Sequence, residues 1–182
     1  MDRRELLQTV GASALLALIP GEARAAWARV ASGLRPSSGL SDNHLALVRA
    51  LADSILPRTE TPGATDVGVH RFVDVIVSEN YDEGERDAFV AGLEKLDAAV
   101  MLDTGRVFHD LAPNERAAVL DAIEGGQRTL EPNRTYWRLK GLVIHGYFTS
   151  EMVMKDVLRH QVMPGQFLGD APMMQPSRGQ RG

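Results

Sequence analysis

From residue 42 onward, apolar side chains return every three or four positions, broken at intervals by glycine and proline. That period belongs to helices with one buried face. Leu45, Val48, Ala52 and Ile55 share such a face, widened by Leu47 and Leu51, and Ser41 or Asp42 can cap the helix. Pro57 ends it, because a residue before proline is pushed out of the helical region. A second helix is predicted over 67–79, with Val69, Phe72, Val73 and Ile76 in register. The stretch F-V-D-V-I-V would also suit a strand, but the chain offers no second alternating run to pair with it. Residues 83–103 carry the clearest stripe, Phe89, Leu93, Leu96 and Val100, with Gly105 as C-cap. Pro113 opens a further helix with Ala117, Leu120 and Ile123 inward, stopped by Gly125-Gly126. The last helical region runs from about Asn133 to His160, with a break expected near Gly146.

These elements predict an all-α chain, a small single-domain helical bundle over residues 42–163. The loop 58–66, R-T-E-T-P-G-A-T-D, turns at Pro62-Gly63. Residues 26–41, with Gly33, Pro36, Ser37, Ser38 and Gly39, read as a linker, and 164–182 as an extended tail rich in Gly, Pro, Gln and Met.

The first 25 residues read as an export address. Arg3-Arg4 precede a mildly apolar run from Val10 to Ile19, and Ala23-Arg24-Ala25 supplies small residues for cleavage before Ala26. Ten helical residues reach roughly 15 Å, about half a bilayer core. Asp2 and Glu5 cancel the two arginines, which disfavours a general secretory signal. D-R-R-E-L-L-Q instead resembles a twin-arginine signal, with Leu6 where an apolar residue is usual. The expected location is periplasmic.

Composition narrows the chemistry. The net charge of −4 disfavours a nucleic-acid binder, and aromatics at 5% leave little for base or sugar stacking. With no cysteine there is no disulfide, thiolate nucleophile or iron–sulfur ligation in this chain. The histidines 44, 70, 109, 145 and 160 are scattered, without H-E-x-x-H or paired E-x-x-H spacing. Asp53, Glu60, Asp66 and Asp74 surround the Pro62 loop without calcium-loop spacing, and read as caps and surface charges. No dinucleotide or Walker loop is present, and Thr149-Ser150 lacks a nucleophile elbow, so either hydroxyl reads as an N-cap. No catalytic, cofactor-binding or metal-ligating residue is therefore assigned.

Gly141 and Gly146 interrupt the last helix at a cost of about 1 kcal/mol each relative to alanine, which implies close backbone packing or a purposeful break. Beside them, Tyr147-Phe148 either anchor a protein interface or fill the core. Phe167, Leu168, Met173 and Met174 offer adaptable apolar surface in the tail, or are plain tail residues.

Taken together, I-L-P-R-T-E-T-P-G-A (55–64), V-G-V-H-R-F-V-D (67–74), L-K-G-L-V-I-H-G-Y-F-T-S-E (139–151) and P-G-Q-F (164–167) resemble the gluconate 2-dehydrogenase subunit 3 family over about residues 42–168. The resemblance implies a small subunit without chemistry of its own. It would bind a large FAD-dependent dehydrogenase of the glucose–methanol–choline type and escort it through the twin-arginine translocase. Electrons would pass to a membrane-bound multihaem cytochrome c subunit where one is present. The implied interface residues are Pro62, Gly63, Gly146, Tyr147, Phe148, Thr149, Ser150, Glu151, Pro164 and Gly165. Many relatives carry a cysteine shortly after the P-G turn, where this chain has Gly169-Asp170-Ala171, so association would be noncovalent. Two other readings stay open: a freestanding exported helical enzyme such as a metal-dependent hydrolase, and a general periplasmic binding or chaperone-like protein.

Overall fold

Helix α1 spans Gly21–Ser32, α2 Asp42–Ile55, α3 Val69–Glu79, α4 Glu83–Thr104, α5 Pro113–Glu124 and α6 Asn133–Thr149. A 3-10 turn at Phe108–Asp110 precedes α5, and a π-helical turn at Val153–Val157 follows α6. The computed structural model describes residues 21–34, 36, 39–125 and 133–159, and no strand occurs among them. Arg3, Arg4, Leu6, Pro164 and Gly165 lie outside the described residues. No described helix is long and apolar enough to cross a membrane.

Local chemistry sets most boundaries. The Ser41 hydroxyl accepts from the His44 N–H at 3.2 Å and starts α2. Asp82 does the same for α4 through the Glu85 N–H at 2.7 Å. Gly105 closes α4 in the left-handed region at φ 74°, where a β-carbon would be strained. Glu115 reaches back to accept from the Ala112 N–H at 2.7 Å, complementing Pro113 at the start of α5. Helix α3 begins two residues later than expected, because Gly68 at φ 80° leaves Val67 in the preceding turn.

The core forms where α3 is enclosed. Val69 and Phe72 to Val77 are buried on this helix, with α1, α2 and α6 packed around it. On α4, Phe89, Leu93, Leu96 and Val100 face inward as their spacing predicts. Each large apolar side chain buried in this way contributes roughly 1.5–3 kcal/mol. Asp74 is buried but accepts from the Leu40 N–H at 2.7 Å, so its carboxylate holds the approach to α2.

Three expectations need correction. Residues 26–32, read as linker, belong to α1, whose Ala23 and Ala26 pack against Phe72, Val75 and Ile76. Small side chains at this spacing give little hydrophobic signal, yet they let α1 lie close on α3. On α5 the inward residues are Val119, Leu120 and Ile123, while Ala117 is exposed. Its helical phase lies more than a quarter-turn from the face those three define. Finally, α6 runs unbroken through Gly146, and the chain breaks at Ser150 instead. Gly146 remains helical because its bare Cα seats the Phe72 ring: a β-carbon there would stand 2.7 Å from Phe72 Cδ1.

Candidate partner interface

Helix α6 is apolar on two opposite faces. The inner face, Tyr136, Leu139, Val143, Gly146 and Tyr147, is buried. The outer face carries Trp137, Ile144 and Phe148, which keep 48%, 38% and 45% of their surface exposed. Met152, at 44%, is also exposed beyond the helix end. The spacing of Trp137, Ile144 and Phe148, seven and four residues with Gly141 between the first two, keeps these three on one side. Exposed aromatic and aliphatic side chains sharing one side of a helix are the residue types enriched in contact surfaces.

The helix is held rigidly from behind. Its N-terminal half sits close on α4, since a β-carbon at Gly92 would collide with Thr135. Glu124 of α5 accepts from the Tyr136 hydroxyl and from Lys140 Nζ, the latter at 2.6 Å. These two bonds, Lys140 first, hold the Glu124 carboxyl below its ordinary range. Arg138 pairs with Glu85 at 3.2 Å and lies over the Tyr81 ring, 4.1 Å from its centroid.

At the other end, the two motifs singled out in the sequence meet. The Tyr147 hydroxyl donates to the Pro62 carbonyl at 2.7 Å. The loop it grips is built by the Gly63 N–H donating to Asp66 at 2.8 Å and by Thr65 donating to Asp53 at 2.5 Å. A β-carbon at Gly63 would lie 2.9 Å from the Arg58 nitrogen, so the turn needs glycine. Thr149 accepts from Trp27 Nε1 at 3.1 Å and donates to the His145 carbonyl at 2.7 Å, which fastens α1 to the end of α6. Trp27 also stacks on Phe72, with centroids 5.1 Å apart.

The proposed interface residues therefore separate. Gly63, Gly146, Tyr147 and Ser150 are buried, and Ser150 donates to the Tyr147 carbonyl at 2.7 Å. Pro62 and Thr149 are half-buried. Phe148 and Glu151 face outward. Sequence reasoning missed Trp137 and Ile144 as outward partners of Phe148. A wheel drawn over 133–149 would have shown both on the side away from Leu139 and Val143.

A separate cavity of about 500 Å³ opens between α1, α2 and α3, with Arg49, His70 and Arg71 on its lining. His70 Nδ1 is buried there without a hydrogen-bond partner. Burial, then Arg49 and Arg71, lower the pKa of this histidine, while Asp53 acts in the opposite direction. Among the described residues, no three His, Asp or Glu side chains are grouped to hold a metal ion.

Residues 42–165 match the family Gluconate 2-dehydrogenase subunit 3. No curated protein and no solved structure matches the chain. The match takes in α2 to α6 and both motifs joined by the Tyr147–Pro62 bond. The chain belongs to the gluconate 2-dehydrogenase subunit 3 family, and so to the subunits of a multi-subunit dehydrogenase complex.

Proposed function

We propose that this chain is the non-catalytic small subunit of a periplasmic, FAD-dependent sugar or alcohol dehydrogenase. It binds the large flavoprotein subunit of the glucose–methanol–choline type, which holds the FAD and performs the oxidation. Its paired arginines, Arg3 and Arg4, with Leu6, take both subunits through the twin-arginine translocase, which accepts folded cargo. In the periplasm the complex associates with the membrane through a multihaem cytochrome c subunit where one is present.

The family match over 42–165 carries this reading. The exposed Trp137, Ile144 and Phe148 on the outer side of α6 support it, since they offer apolar surface to a second protein. Helix α1, which takes in the last residues of the leader and the stretch after it, packs on α3 and α6.

The test replaces Arg3 and Arg4 together by lysine in the producing strain. Dehydrogenase activity is expected to stay in the cytoplasm with the flavoprotein. Periplasmic activity equal to wild type would overturn the escort role. Metal analysis of the purified chain separates the accessory subunit from a freestanding metal-dependent hydrolase, which would carry stoichiometric metal.

A further inference from the structure

We propose that docking of α1 shields the Ala25–Ala26 bond from signal peptidase, so that the folded chain reaches the periplasm with its leader still attached. This rests on the reading of residues 1–25 as a twin-arginine leader.

The bond falls within a helix, since α1 runs Gly21–Ser32. Signal peptidase reads small residues at the −3 and −1 positions, here Ala23 and Ala25. In an extended segment two such side chains point to the same side, the form in which a protease groove binds a peptide. In a helix they stand about 200° apart around the axis. The structure shows that split: Ala23 is 1% exposed, whereas Ala25 faces solvent. Ala26, just past the bond, is again 1% exposed. Ala23 and Ala26 pack on Phe72, Val75 and Ile76 of α3. The core therefore holds one half of the recognition pair and the residue that follows the bond.

The helix is also fastened beside the bond. Trp27 stacks on Phe72 with centroids 5.1 Å apart and donates to Thr149 at 3.1 Å. Arg29 pairs with Glu79 at 3.0 Å. Extending 23–26 means pulling Trp27 away from both Phe72 and Thr149. A protease acts on the fraction of molecules whose segment is open, so each contact that closes α1 lowers the rate of cutting.

The export route sets the timing. A chain that crosses unfolded meets the peptidase before α1 docks, whereas folded cargo arrives with α1 already on α3. Hydrolysis would add one water across the amide, leaving an Ala25 carboxylate and a free Ala26 amine. Without it the apolar run Val10–Ile19 stays joined to the periplasmic subunit.

The experiment first reads the intact mass of the chain in the complex purified from the periplasm, which is expected to include residues 1–25. Full-length wild type, Thr149→Val and Trp27→Ala are then incubated with detergent-solubilised signal peptidase. Neither substitution alters the sequence around the bond. Cutting at Ala25–Ala26 should be severalfold faster in Thr149→Val and at least about tenfold faster in Trp27→Ala than in wild type. Trypsin separates local from global opening. Its cut after Arg24 should rise in parallel, while cuts after Arg71 in α3 and Arg138 in α6 keep their wild-type rates.

A periplasmic wild-type chain that begins at Ala26, or has otherwise lost its leader, overturns the proposal and leaves the escort role intact. So does a Trp27→Ala chain that trypsin opens at Arg24 and signal peptidase leaves whole, since the bond is then no cleavage site. An equal tryptic gain at Arg71 and Arg138 also overturns it, because the shield is then the whole domain and not α1. Absence of the wild-type chain from the periplasm refutes the export reading on which the proposal stands.

Discussion

The Tyr147 hydroxyl donates to the Pro62 carbonyl across 85 residues of sequence, while the adjoining Phe148 ring turns to solvent at right angles to it. Two adjacent aromatics thus serve opposite sides of one helix. Tyr147→Phe is expected to lower stability by about 1 kcal/mol through the lost bond and to leave flavoprotein capture unchanged. Phe148→Ala should do the reverse, with stability within about 0.5 kcal/mol of wild type and weaker capture. Denaturant melts and a quantitative pull-down on the same preparations check both. Equal effects of the two substitutions on capture would undo the division.

Gly146→Ala should destabilise the chain although alanine is the better helix former. The new β-carbon would stand 2.7 Å from Phe72 Cδ1, and the ring is itself held by Trp27. Overpacking of this kind costs about 1–3 kcal/mol. Phe72→Leu introduced with Gly146→Ala should recover part of the loss, and a double-mutant cycle measures the coupling. Additive effects would place the strain elsewhere.

A chain beginning at Ala26 should be less stable than one beginning at Gly21. Ala23 is only 1% exposed, packed with Ala26 beside Phe72, and removal of 21–25 leaves α1 with seven residues. The lost methyl burial alone is worth about 0.8 kcal/mol, and the shortened helix adds to it. Thermal midpoints of the two forms measure the difference. Identical melting would mean that α1 contributes through Trp27 and Val30 only.

His70 should make stability fall on mild acidification. Its folded pKa lies below the ordinary 6.5, chiefly through burial and then through Arg49 and Arg71, with Asp53 opposing. Asp42 and Asp74 also line the cavity. As pH falls the unfolded chain takes up the proton first, so stability is complete above pH 6.5 and declines below it. His70→Gln should flatten that decline. Urea midpoints between about pH 5 and about pH 7.5 give the comparison. An unchanged slope in the variant would assign the decline to other groups.

Glu83 to Thr104 shows what one-dimensional pattern can settle. Its stripe and Gly105 stop depend on neighbours within a few residues, and the structure follows the reading almost to the residue. The α2 cap at Ser41 and its end before Pro57 are legible for the same reason. Helix α1 was not, because its buried residues are alanines whose burial depends on Phe72, a partner some 45 positions away. The interface motif was half legible. Tyr147 and Phe148 were recognised as a pair, but their division between core and surface follows from the rotation of α6 against α3.

The sequence by itself determined the helical class, most helix limits and the Pro62-Gly63 turn, because caps, breakers and periodicity act locally; its motifs carried the resemblance to the family. Only the tertiary structure decided which glycines have a reason inside the chain. Gly92 and Gly146 meet Thr135 and Phe72, whereas Gly141 meets nothing. Close approach is a property of two surfaces, and only the folded chain brings the second surface into place.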